Sequence, residues 1–225
     1  LHRGEVQLKL AKSFQESAMQ PVTLYGNIES GNCLKTLWAA QVADAAHDWV
    51  EVDIFGGETR SDSFLALNPA GQVPVLRMAD GRTLAQSNAI LLYLLEGTDL
   101  IPADPFQRAV MMQWLFWEQY SHEPYIAVRR SALRFKGAAE SDLDPDLYAK
   151  GRRALGVMEM NLLSQSFMVG EDMTAADIAL VAYTRVADEG GFDLSEFPAV
   201  NGWVRRVESA LGIEHGQAAV HGDPE

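Results

Sequence analysis

The chain has 225 residues, 48% hydrophobic, 22% charged and 9% aromatic, enough for one large domain or two small ones and ordinary for a soluble protein. A formal net charge of -13, with basic residues gathered in no more than modest pairs such as Arg129-Arg130, repels polyanions, so neither a nucleic-acid nor a membrane partner is expected. The longest apolar run, Ala89 to Leu95, is far short of a membrane span. The single cysteine, Cys33, cannot form an intramolecular disulfide, so a reducing cytoplasm is expected.

Residues 1–18 precede Met19 and read as a leader segment, although the spacing of Val6, Leu8 and Leu10 also suits a short strand or arm. From 19 to 97 short β-rich runs alternate with helical ones. "PVTLY" reads as a strand, "CLKTLWAAQVADAA" as a helix, "WVEVDIF" as a second strand and "SDSFLAL" as a short capped helix. After the turn formers "NPAGQ", the runs "VPVLRM" and "RTLA" flank the turn "ADG" as a hairpin, and "QSNAILLYLLEG" follows as a helix. The order βαβα then ββα is that of a thioredoxin-like α/β domain.

Residues 98–103 read as a linker, and beyond them the strands stop. Asp104 and Pro105 suit an N-cap and first helical position of a long helix through Arg134, with Val110, Met111, Trp114, Leu115, Tyr120 and Ile126 on one apolar face and a kink at Pro124. Further helices are expected at about 146–166, 175–188 and 198–210, giving an all-α domain over 104–212 and a tail over 213–225.

Chemistry concentrates at two predicted helix starts. A helix N-terminus favours an anion through unpaired N–H groups and the dipole. "SGNC", Ser30 to Cys33, sits at the first one. It has serine where a dithiol protein carries its first cysteine, so a thiol attacked or activated there has to come with a ligand. The Ser30 hydroxyl, the Asn32 carboxamide and nearby amides can favour a thiolate, and a lowering of about two pKa units takes about 2.7 kcal/mol, which one or two charge-assisted hydrogen bonds supply. Cys33, at the second position of the motif, is expected to turn inward and lie mostly buried. "GQVPV" places Pro74 after a glycine turn, where a cis Val73-Pro74 bond would turn the Val73 backbone outward for an extended peptide, and "AQSNAI" places Ser87 at another helix start.

"SGNC", "NPAGQVPVL", "LAQSNAILLYL" and "MTAADIAL", in this order and spacing over roughly Gln20 to Leu211, resemble the cytosolic glutathione transferases, especially bacterial members with serine or threonine in the active-site turn. The resemblance implies that fold: a thioredoxin-like domain followed by an all-helical one. It implies glutathione as co-substrate and a homodimer built on the hairpin, the third helix and the long helix beginning near Asp104.

Ser30 or Asn32 then stabilises the glutathione thiolate. The Val73 backbone ahead of Pro74 pairs with the cysteinyl unit, with Gln72 assisting, and Gln86 and Ser87 hold the γ-glutamyl end. Lys35 and Arg60 are either contacts for the glycyl carboxylate or solvated charges. Trp114, Trp117, Tyr120 and Tyr125 either border the pocket of an apolar electrophile or are plain core. Thr174 to Asp177 resembles the family's buried capping motif. The histidines are scattered, His122 without a partner at ligand spacing, so no metal site is expected.

The activity implied is transfer of glutathione to an electrophile. Two alternatives stand beside it. One is a glutathione-dependent disulfide reductase or peroxidase, since "SGN" matches the Thr-Pro-Asn turn of such bacterial relatives; the other is a non-catalytic interaction module of the same fold.

Overall fold

The computed structural model describes residues 21–214; the leader assigned to 1–18 and the tail beyond Glu214 lie outside them. The chain divides into two compact units at the Glu96–Gly97 boundary. The first holds a four-stranded mixed sheet with helices, the second is helical, as expected for a thioredoxin-like domain joined to an all-α one.

In the first unit β1 (Val22–Gly26), α1 (Gly31–Val42), β2 (His47–Glu51), α2 (Asp62–Leu67), β3 (Val75–Arg77), β4 (Thr83–Ala85) and α3 (Ser87–Leu95) follow in order. The sheet runs β2-β1-β3-β4, with β1 and β2 parallel (Val22 opposite His47) and β3 antiparallel to both β1 and β4 (Tyr25 opposite Val75, Val75 opposite Ala85). Side chains alternate across the strands. Val22, Leu24 and Leu76 pack with Ala40 of α1 and Ile90 of α3, while Val75 packs with Val52 and Phe64 of α2. Both helix N-termini therefore lie on elements locked to the sheet by apolar burial.

The second strand ends earlier than its alternation predicts. Val52 N–H still bonds Gly26 O at 2.7 Å, but Asp53 Oδ1 accepts Phe55 and Gly56 N–H at 3.1 and 2.7 Å, folding the chain into an Asp-led turn instead of a strand.

Residues 98–103 are not a free linker. Leu100 and Ile101 are buried, and Leu100 O accepts Ala175 N–H at 3.0 Å within the second unit. There, α4 (Pro105–Trp117) starts at Asp104, whose Oδ2 accepts Gln107 N–H at 2.8 Å. Pro124 interrupts the expected long helix, but not by a simple bend: a π turn, Glu118–His122, separates α4 from α5 (Glu123–Arg134). A proline ring displaces the carbonyl one turn earlier, and a wider turn accommodates it. That turn carries Tyr120 out of the apolar face to 81% exposure, whereas Met111, Trp114, Leu115 and Ile126 are buried as predicted.

α6 (Pro145–Leu162), α7 (Ala175–Thr184) and α8 (Pro198–Leu211) complete the unit. All ten residues of α7 are buried. At its start Asp177 accepts Thr174 N–H and hydroxyl (2.8 and 3.1 Å), Met168 N–H (2.8 Å) and Trp203 Nε1–H (2.8 Å). Burial raises the Asp177 pKa against those four donors. Arg185 Nε meets Glu208 Oε1 at 2.8 Å, both side chains almost fully enclosed. The Arg129-Arg130 pair is no surface patch either. Arg129 donates to Gly190 O and Glu140, Arg130 to Glu189 Oε2 at 2.7 Å, and both are buried. Among the described residues no helix is long and apolar enough to cross a membrane.

Candidate active site

The loop from β1 into α1 is held by a residue the sequence reading passed over. Asn27 is buried; its Nδ2 donates to Val52 O at 3.1 Å, and its Oδ1 accepts Glu29 N–H at 3.1 Å. Its asparagine-led turn delivers Ser30 as the N-cap of α1. Yet the Ser30 hydroxyl makes no capping bond to the helix, so capping does not account for it. It acts instead on the Cys33 side chain, lowering that thiol's pKa against the main influence on it. Cys33 has no exposed surface, as expected, and burial pushes its pKa up from the ordinary 9.0 to about 11. The chain's own sulfur is thus a neutral core group at neutral pH.

Asn32, half-buried, stands at the centre of the site. Its Oδ1 accepts Lys35 Nζ at 2.8 Å and Ser87 Oγ–H at 3.1 Å. The second bond spans 55 positions and ties the start of α1 to the start of α3. Lys35 therefore departs from expectation. It is not a solvated charge; its side chain is wholly enclosed and its ammonium donates to the Asn32 carboxamide. Ser87 is buried, and its hydroxyl faces Asn32.

Gln86, exposed and immediately before α3, has φ 75° and ψ 115°. A non-glycine residue in that region carries backbone strain, which residue types alone do not reveal. The strand-entry turn is also built for presentation. Asn68, buried, donates from Nδ2 to Gln72 O at 2.7 Å and accepts Ala70 N–H at 3.1 Å. Arg60 is exposed and lies over this turn, donating to Ala70 O at 3.3 Å, with Gly71 (φ 60°) beneath its guanidinium.

The Val73-Pro74 bond is cis, as predicted. Among the described residues neither the N–H nor the C=O of Val73 has a hydrogen-bond partner, which leaves a short extended edge open to an added peptide strand. Ser30, Asn32, Gln72, Val73, Gln86 and Ser87 all belong to the first unit, at the C-terminal end of β1, the entry to β3 and the start of α3.

The predicted electrophile-pocket residues all lie in the second unit and are unequal. Trp114 is buried, edge-on to Trp117 at 5.1 Å, and reads as core. Trp117 and Tyr125 are half-buried, Tyr125 facing Lys150 at 5.8 Å, while Tyr120, on the π turn, is exposed.

Residues 20–96 match the family model of the glutathione S-transferase N-terminal domain, and residues 117–210 that of the C-terminal domain. The chain is similar to a crystal structure of a glutathione S-transferase from Pseudomonas fluorescens, with 46% identity and a TM-score of 0.81 over 84% of this chain and 94% of that one. It is also similar to Ure2p in complex with S-p-nitrobenzylglutathione, at 25% identity and a TM-score of 0.77 over 89% and 95% of the two chains. Among curated proteins it is 29% identical over 179 residues to elongation factor 1-gamma of Artemia salina; the match covers 74% of this chain and 40% of that protein's length.

Proposed function

The chain belongs to the glutathione S-transferase family, and from that premise we propose that it binds glutathione in its N-terminal unit and activates the thiol against a small, apolar electrophile. In this reading the Val73 edge pairs with the cysteinyl backbone, Gln72 assists, Gln86 and Ser87 meet the γ-glutamyl end, and Arg60 is the candidate for the glycyl carboxylate. Ser30 and Asn32 stabilise the sulfur anion. The thiol proton passes to solvent, sulfur bonds the electrophilic atom, and the leaving group departs with its electron pair. Trp117 and Tyr125 are the candidates to touch the electrophile. The chain is read as a homodimer on family membership, which sedimentation at micromolar concentration tests; a monomer alone would refute it.

The observation that carries this reading is the Asn32–Ser87 bond. It joins two helix starts, each suited to an anion, within the unit that also presents the Val73 edge, and glutathione has a thiolate and a carboxylate on one extended backbone. The test is glutathione affinity, followed by turnover with an aryl halide, a hydroperoxide and a mixed disulfide. Turnover of the halide is the expected outcome. Turnover of the disulfide or peroxide alone would select the reductase or peroxidase alternative. Binding without any turnover would select an interaction module, a reading that the similarity to an elongation factor keeps in view.

A further inference from the structure

We infer that Lys35 is a positioning residue for thiolate formation: from its enclosed site it holds the Asn32 carboxamide with oxygen inward, so that Asn32 offers its NH₂ donors, and not an acceptor, to an anion at the α1 N-terminus. The inference rests on the glutathione reading above and goes beyond it by assigning an indirect role, through Asn32, to an enclosed side chain.

An ammonium has three donors and no acceptor, whereas a carboxamide has an acceptor on one branch and two donors on the other. With Lys35 Nζ 2.8 Å from Asn32 Oδ1, one of the two amide orientations is favoured; the flipped one would set N–H against N–H. Ser87 Oγ donates to the same oxygen at 3.1 Å, so two donors from two helices converge on Oδ1 and fix the plane of the group. The spacing is what a helix needs for this contact, since positions 32 and 35 lie on one face. A lysine with no exposed surface is uncommon because desolvating its charge is costly. Placed in the first turns of α1, that charge adds to the positive end of the helix dipole instead of countering it.

The experiment compares the unaltered protein with Lys35→Met, Asn32→Ala and the double variant. It titrates the thiolate of bound glutathione by ultraviolet absorbance and measures glutathione Kd separately. In Lys35→Met the titration midpoint is expected to rise by about one pH unit and kcat/KM at neutral pH to fall about 10-fold, with Kd within about 3-fold. Because Lys35 acts through Asn32, adding Lys35→Met to Asn32→Ala should move the midpoint little further.

An unmoved midpoint in Lys35→Met overturns the inference, as does a full additive shift in the double variant, which would make Lys35 a direct charge effect. Should Lys35→Met not fold, Lys35→Gln, which keeps a donor without the charge, is read in its place: a midpoint between those of the unaltered protein and Asn32→Ala supports the role, and no shift overturns it. Failure of the unaltered protein to bind glutathione would remove the function reading and this role with it, whereas binding with an unmoved midpoint removes only the role.

Discussion

In the helical unit, Asp177 collects four donors and Arg185 faces Glu208 behind closed packing. Each of these buried charges ends on a partner that stays within the fold. In the N-terminal unit the buried side chains of Lys35 and Ser87 also end on a common group, but that group is Asn32, which is half-open to solvent. A closed polar network specifies and holds a structure, while one that terminates at the surface prepares a place for something else. On the proposed function, the pattern of burial separates the network that supports the architecture from the one that meets glutathione.

The largest effect should come from breaking the closed network. Asp177→Ala orphans four donors and is expected to lower stability by about 3–5 kcal/mol, read from the denaturant midpoint, without changing glutathione affinity of the protein that remains folded. A comparable loss of affinity would mean that the two halves are not separable in this way.

Next is an alkaline transition set by Cys33. Its folded pKa, about 11, lies above the ordinary 9.0, so its contribution is fully present below about pH 9 and is lost as pH rises through about 11; the window corresponds to about 2–3 kcal/mol. Stability measured from pH 8 to 11 should fall accordingly, and Cys33→Ala should flatten that fall while leaving conjugation and disulfide reduction near normal. Loss of reduction alone would put Cys33 in the chemistry.

Opening the N-terminal network should act on function. Ser30→Ala is expected to lower turnover about 10- to 100-fold with glutathione affinity within about threefold, because its hydroxyl acts on sulfur and not on the peptide's ends. A silent Ser30→Ala beside an impaired Asn32→Ala would move the main donor to Asn32. The smallest effect belongs to Ser87→Ala, expected to weaken glutathione binding about 5- to 10-fold, measured by calorimetry, with turnover at saturation less affected. An unchanged Kd would place the γ-glutamyl contact elsewhere.

The features readable in the sequence were those written in local chemistry. Asp104-Pro105 opens a helix, Thr174 and Asp177 form a capping box, and Cys33, one step past the half-buried Asn32, turns into the core, while the cis Pro74 followed from the family resemblance. What was not readable depends on packing between distant segments. Nothing in "NCLK" distinguishes a lysine that reaches water from one enclosed by the elements packed around α1, and nothing in "RR" tells that Glu140 and Glu189 will cover both arginines. Pro124 announced a break, but the widened turn that expels Tyr120 is a compromise between that proline and the buried helix on either side. Gln86 hides for a different reason: glutamine has no preference for φ 75°, so only the backbone itself reveals the constraint.

That backbone has an evolutionary implication. A glycine at position 86 would adopt φ 75° without the roughly 1–3 kcal/mol that such strain costs other residues, and glycine is a single-residue change away from an easier fold. On the proposed function, a chain that carries glutamine there accepts a less comfortable turn and keeps a carboxamide at the mouth of α3. Position 86 is thus a point at which natural selection can trade foldability against ligand affinity, and descendants of this protein that abandon their ligand would be expected to relax there first.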